Sequence, residues 1–167
     1  MNYEKIDHNF LHQEIKMKKR FGNAELLLYD YFFKTTHIHP KNIISIRNFL
    51  FFFVDNEDCA KAKLFLPLLR RLMIEKKILI IREGNTLIKL LYNFFPDPYV
   101  HDIKMEKNVY GGKIEITICF LSFFERGIAI GCRGEYIKVV NELLDDNVEY
   151  DGYRGFQICI KCKVVDL

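Results

Sequence analysis

The sequence predicts an α+β chain in which a mainly helical N-terminal region precedes a three-stranded sheet with helices on one face. Three observations carry that expectation. Before position 95 the apolar residues recur mostly at helical spacing, with "ILIIR" the strand-like exception. The prolines of "FFPDPY", Phe94 to Tyr99, bar both helix continuation and central-strand pairing, so a boundary is expected there. After them "GGKIEITICF" alternates, with Ile114, Ile116 and Ile118 on one face and Glu115 and Thr117 on the other. The chain therefore divides into a helical extension over 1–22, a mainly helical region over 23–95 and a sheet-bearing domain over 96–167.

Residues 2–20 read as a polar helix with sparse apolar positions (Tyr3, Ile6, Phe10, Met17), ending in "KMKKR" where cations suit the helix dipole. From Asn23, taken as an N-cap, "NAELLLYDYFF" has a helical pattern. "HPKNIISIRNFLFFFV" is read as the next helix, with Pro40 in its first turn and Ile43, Ile46, Phe49 or Leu50, and Phe53 forming a wide apolar face. A third helix, "NEDCAKAKLFLPLLRRLMIEKK", begins in acids and ends in bases, and Pro67 predicts a kink or break within it. A short strand, a turn at Gly84-Asn85 and a helix "TLIKLLYNFF" complete the region. Three helices before a strand also fit a winged helix-turn-helix, but "LFLPLL" stands where polar base-reading side chains are needed.

Beyond the prolines, "VHDIKMEK" and "GGKIEITICF" read as a hairpin turning at Gly111-Gly112. A short segment (121–126), a glycine-rich stretch "GIAIGCRG", a helix from about Glu135 to Leu144 and a last strand "FQICIKCKVV" follow.

Composition narrows the function classes. Lys and Arg total 25 against 22 acids, a formal charge of +3, which by itself announces no nucleic-acid partner. The five cysteines are an odd number and several lie in strand-like runs, so reduced thiols are expected rather than a disulfide framework. Cys159 and Cys162 form a lone CxxC, but three steps along a strand point to opposite faces, so no metal site is expected. "MNYEKIDHNF" lacks the apolar core of a secretory signal, and "FLFFFV" is too short to span a bilayer, so a soluble protein with no membrane partner is expected. Fifteen Phe, nine Tyr and no Trp suggest an AT-rich genome, organellar or microbial. No Ser-His-Asp or Cys-His arrangement is recognisable from spacing, and neither His8 with His12 nor His37 with His39 comes with an acid-cysteine pattern at metal spacing. The expectation is a noncatalytic protein with no cofactor and no small-molecule substrate. The Phe cluster at 49 and 51–53 is read as core ahead of a protein interface.

The glycines of Gly127, Gly131 and Gly134 decide the rest. G-x-x-x-G-x-x-G does not match the dinucleotide fingerprint, and Glu135-Tyr136 after Gly134 does not match a P-loop. Gly131 and Gly134 could simply cap and start two helices. The alternative mechanism is a KH loop, in which GxxG joins two helices and clamps single-stranded nucleic-acid backbone. "IKMEKNVYGGKIEITICFLSFFERGIAIGCRGEYIKVVNELL" with "FQICIKCKVVDL" resembles the type II KH domain of the third protein of the ribosomal small subunit, over roughly Thr86 to Leu167. Gly127, Ile128, Ile130, Gly131, Gly134, Glu135 and Ile137 fall on that family's motif, and Arg133 matches its second basic loop residue. Two departures lower the affinity expected for RNA: Arg126 stands directly before Gly127 where the family has proline, leaving Glu125 in the place of the family's arginine, and Cys132 replaces the first loop base.

The resemblance implies a structural constituent of a small ribosomal subunit, with a mitochondrial, organelle-encoded form expected and the cytoplasm as the alternative. Its partners would be small-subunit ribosomal RNA and neighbouring ribosomal proteins, with messenger RNA near the entry site a secondary contact. The expected RNA-binding residues are Arg126, Gly127, Ile128, Ile130, Gly131, Cys132, Arg133, Gly134, Tyr136, Ile137 and Lys138. Arg126, Arg133 and Lys138 would meet phosphate; Ile128, Ile130 and Ile137 would form an apolar floor; and Tyr136 would either stack on a base or pack inside. Two alternatives stay open. One is a KH transcription-elongation factor of the NusA kind, the other a degenerate KH module that binds protein.

Overall fold

The computed structural model describes residues 10–19, 21–108, 112–150 and 157–166. In chain order the elements are β1 (Ile15–Met17), α1 (Asn23–Thr36), β2 (Asn42–Ile46), β3 (Phe49–Val54), α2 (Cys59–Leu64), α3 (Leu66–Leu72), β4 (Lys77–Arg82), α4 (Leu87–Phe94), β5 (Asp102–Asn108), β6 (Lys113–Phe120), α5 (Phe123–Ile130), α6 (Glu135–Asn147), β7 (Val148–Tyr150) and β8 (Gln157–Val164). The chain is α+β, and it divides into two compact units. One is Met17–Gly84, and the other joins the residues before Met17 to Asn85–Leu167. Among the described residues no helix is long and apolar enough to cross a membrane.

In the 17–84 unit the sheet order is β2-β3-β4, with β2 antiparallel and β4 parallel to β3. This corrects the expectation of a mainly helical region over 23–95. The segment "NIISIRNFLFFFV" is a two-stranded turn-and-return, Ile46 facing Phe49 across Arg47-Asn48, with Arg47 in the left-handed region (φ 53). All six residues of β3 are buried, as befits a central strand covered on both faces. A continuous apolar run satisfies a helical period and a strand period equally, and β-branched and aromatic content decides for the strand. Leu50, Phe52 and Val54 join Phe32, Ile38, Cys59, Ala62 and Leu69 in one core cluster, where Phe32 and Phe52 stack at 4.4 Å. Phe49, Phe51 and Phe53 form a ladder of rings 6.3 Å apart along the other face. The Phe cluster is thus core.

Pro67 sits in the first turn of α3 and separates it from α2, as the sequence predicts. α1 covers the expected residues, but Gly22 takes the cap position in place of Asn23 and offers no side-chain bond.

The expected N-terminal helical extension is also corrected where it is described. Ile15–Met17 is extended and pairs with β7, and the Ile15 N–H separately donates to the Asn85 carbonyl, in the loop before α4, at 3.0 Å. Bonds from distant chain override a weak local helical pattern. The expectations at Tyr3, Ile6 and His8 lie outside the described residues.

In the second unit the sheet order is β5-β6-β8, again antiparallel then parallel. The hairpin has the expected strands; Gly112 is left-handed (φ 61), while Gly111 lies outside the described residues. Ile114, Ile116 and Ile118 stand opposite Ile158, Ile160 and Cys162, and all six are buried. α6 buries Tyr136, Val139, Val140, Leu143 and Leu144, a helical stripe three and four residues apart. α4 is capped by Thr86, whose hydroxyl accepts from the Lys89 N–H at 3.4 Å, and buries Leu87, Leu90, Leu91 and Phe94.

Apart from β7, which pairs with β1 outside the three-stranded sheet, the two units share one element order, α-β-β-α-α-β, and one sheet polarity. Closing a strand parallel to its predecessor requires a crossover, and in both units a helix pair supplies it.

Candidate functional site

The site is the turn between the crossover helices of the second unit. Ser122 caps α5: its hydroxyl accepts from the Glu125 N–H at 3.2 Å and donates to the Glu125 carboxylate at 3.3 Å. α5 stops at Gly131, whose N–H still donates to the Gly127 carbonyl at 3.1 Å. Gly131 has φ 79 and ψ 175, a region open essentially only to glycine. A Cβ there would lie 2.7 Å from the Tyr136 Cβ, so glycine also permits the turn to lie against the first turn of α6. Arg133 (φ 55, ψ 23) and Gly134 (φ 70, ψ 17) are both left-handed. Gly134 has room for a Cβ, the nearest atom being 3.5 Å away, so its backbone conformation is what favours glycine. Gly127, by contrast, lies inside α5 with open space beside it and belongs to neither demand.

A non-glycine residue in the left-handed region costs about 1–2 kcal/mol. Arg133 takes that conformation with its side chain in solvent. Cys132 beside it is exposed, and no hydrogen bond among the described residues engages the backbone N–H of either. Successive free amides in such a turn form a concavity suited to an anion. Lys138, at the end of the first turn of α6, is exposed as well.

The other expected residues divide. The Arg126 Nε donates to the Cys162 carbonyl at 3.0 Å, holding this side chain against β8 rather than at the turn. Tyr136 is buried; its hydroxyl donates to the Phe94 carbonyl and its ring meets Phe95 edge-on at 6.0 Å. Burial pushes the phenol well above its ordinary range. Of the two readings of Tyr136, packing is the one realised, and base stacking is corrected. The apolar floor is also redrawn. Ile130 and Ile137 are half-buried, but Ile128 faces solvent and Ala129 takes the buried position. A helix beginning at Phe123 turns 129 inward, which the alternation of Ile128 and Ile130 concealed.

Two features escaped sequence reasoning. The Asn141 amide donates to the carbonyls of Ile137 (3.0 Å) and Ile160 (3.2 Å) and accepts from the Ile160 N–H (2.7 Å). It thereby ties α6 to the free edge of β8. An asparagine inside an otherwise good helix was the available signal. The second is an apolar surface on α5, where Phe123 and Phe124 are 78% and 77% exposed and Ile128 lies one turn below Phe124.

CxxC behaves as alternation requires, Cys162 buried and Cys159 half-exposed on the opposite face. Burial pushes the Cys162 thiol up to about 12, partly offset by Arg126. All five cysteines are free thiols. On the outer sheet face Lys161 pairs with Glu115 at 2.8 Å and lowers that carboxyl.

Comparison with known proteins extends the fold but names no family. No family model matches the chain, and no curated protein matches it. Among solved structures the chain is similar to the crystal structure of APE1850, an archaeal protein, at 21% identity and a TM-score of 0.61. The match covers 86% of this chain and 100% of that one, and it is a likeness of fold.

Proposed function

We propose that this protein is a noncatalytic RNA-binding protein whose second unit is a type II KH module gripping single-stranded RNA backbone at Gly131–Gly134. One observation carries the reading. A turn between two crossover helices offers unbonded amides at Cys132 and Arg133 and an exposed guanidinium, inside an α-β-β-α-α-β unit. The two glycines let a phosphodiester approach the main chain, and Arg133 and Lys138 supply the cations. Bases leaving that backbone would meet the exposed face of Phe124 and Ile128, where stacking tolerates any sequence.

The resemblance of the loop supports a setting in a small ribosomal subunit, bound to its RNA and neighbouring proteins in a mitochondrion. The 17–84 unit favours the second setting. It repeats the same topology outside the stretch covered by the ribosomal resemblance, and a factor of the NusA kind, which carries more than one KH unit, accounts for both. Such a factor exchanges on and off RNA.

The test is binding of the full chain to single-stranded and duplex RNA by fluorescence anisotropy. Replacing Cys132 and Arg133 with aspartate should leave the circular dichroism spectrum unchanged and weaken single-strand binding at least tenfold. Arg133→Ala should lower the salt slope by about 0.7. Unchanged binding by the folded double variant removes the turn from the mechanism. Sedimentation from native lysate through a high-salt wash separates the settings: retention on the small subunit selects the ribosomal one, and release or migration with RNA polymerase selects the other.

A further inference from the structure

The corresponding turn of the 17–84 unit is built differently. Between α2 and α3 the chain passes through Phe65 in the right-handed helical region (φ −89, ψ −2), with no glycine and with Pro67 in the next turn. Its amides are spent on helical bonds, Phe65 N–H to the Ala62 carbonyl at 3.0 Å and Leu69 N–H to the Phe65 carbonyl at 2.9 Å. Nothing there can receive a phosphate as the Gly131–Gly134 turn can. Instead Leu64, Leu68 and Leu72 stand four residues apart on one side, 78%, 43% and 60% exposed, while Leu69 on the other side is fully buried. Ile74, 87% exposed, extends the row.

Charge along the helix pair itself is of one sign. From Cys59 to Met73 the sequence holds Lys61, Lys63, Arg70 and Arg71 and no acid, with Glu57 and Asp58 before this stretch and Glu75 after it. Lys61, Lys63 and Arg71 are exposed and have no ion-pair partner among the described residues. Arg70 reaches the Ile78 carbonyl at 3.4 Å.

We propose that the Leu64–Leu68–Leu72 row is a docking site for an acidic amphipathic helix of a partner protein. α3 presents Leu68 and Leu72 one turn apart, about 6 Å along its axis, and Leu64 ends α2 just before it, which matches two turns of a partner presenting apolar residues at i, i+3 or i+4, and i+7. Asp and Glu flanking those positions complement the unpaired cations. A second copy of this chain is the poorer occupant, because a two-fold contact would set Lys61, Lys63 and Arg71 against themselves. An RNA strand would leave the leucines unused. A membrane surface would find only a seven-residue helix whose opposite side is committed to the core.

The test places the photo-crosslinking residue p-benzoylphenylalanine at position 68 of the full chain, expressed in its native cells, and sequences the cross-linked segment. The expected segment is protein, with apolar residues at helical spacing and a net negative charge. Cross-linking should fall at least fivefold when Lys61, Lys63 and Arg71 are changed to glutamate. A synthetic peptide of that segment should bind the purified chain and lose at least tenfold in affinity when its acids become amides. Cross-links to RNA, to lipid, to a second copy or to a segment without acidic flanks overturn the proposal, as does the absence of any adduct. Binding of single-stranded RNA by the Leu68→Asp variant, measured in parallel, should match that of the unaltered chain, which separates this site from the Gly131–Gly134 turn.

Discussion

At position 131 two independent demands fall on one residue. The backbone is in a glycine-only region, and a Cβ would collide with the Cβ of Tyr136. Gly131→Ala should therefore cost about 1–3 kcal/mol in urea unfolding, and Gly127→Ala, in an open helical site, should be neutral or stabilising by up to about 1 kcal/mol. Arg133 gives the opposite dissociation. Arg133→Gly relieves a left-handed arginine, so stability should rise by up to about 1 kcal/mol while the affinity for single-stranded RNA falls. A stability gain with undiminished RNA affinity would show that the guanidinium does not contact the strand. Residue-scale legibility was uneven for a physical reason. Glycine identity announces unusual backbone, so Gly131 and Gly134 stood out in the sequence. Whether Tyr136 points into solvent or core depends on Phe94 and Phe95, more than forty residues earlier, and no local pattern encodes it.

Elements were legible where one period excluded the other. "GGKIEITICF" alternates strictly and is a strand; α4 and α6 have apolar stripes at three and four residues and are helices. β3 was misread because six successive apolar residues carry no period, and the burial of Leu50, Phe52 and Val54 comes from Phe32, Cys59, Ala62 and Leu69 on separate helices packed over the sheet. The same scale holds the Asn141 clasp between α6 and β8. Asn141→Ala removes bonds to both the N–H and the carbonyl of Ile160, and should lower stability by about 1–3 kcal/mol. Amide exchange at Ile160 should speed up in step. Asn141→Asp keeps the acceptor but loses the donor, so it should protect the Ile160 N–H while leaving the carbonyl without its partner. Equal exchange rates in the two variants would count against the clasp.

For the whole molecule the buried groups that titrate at alkaline pH act in one direction. Burial raises the Tyr136 and Tyr150 phenols and lifts the Cys162 thiol to about 12. Each of these groups is held neutral in the folded chain at a pH where the unfolded chain has begun to ionise. The folded state therefore binds more protons, and stability, complete below the unfolded thiol's ordinary value of about 8.5, should decline from there toward pH 12. Thermal unfolding between pH 8 and about 11 should show the falling midpoint, and Cys162→Ala should flatten it. A thiol reagent at neutral pH should modify exposed Cys132 at once and buried Cys59, Cys119 and Cys162 only on unfolding.

The repeated architecture belongs to this scale too, and the sequence concealed it. The two crossover turns, "KLFLPL" and "IGCRGE", share no residue pattern, since one passes from helix to helix through the single right-handed residue Phe65 and the other folds through three left-handed or extended glycine-favouring positions. Polarity of strands and order in a sheet are relations between distant segments, and only the assembled chain states them. By itself the sequence determined the hairpin, the break at Pro67, the helix that follows Gly84-Asn85 and the glycine turn, because each rests on backbone chemistry within a few residues. The tertiary structure decided that 42–54 pairs as strands, that Tyr136 and Arg126 bond back to the Phe94 and Cys162 carbonyls, and that one topology occurs twice with a glycine turn in one unit and a leucine row in the other. Those outcomes depend on which surfaces meet, and burial between remote segments is what a local pattern leaves open.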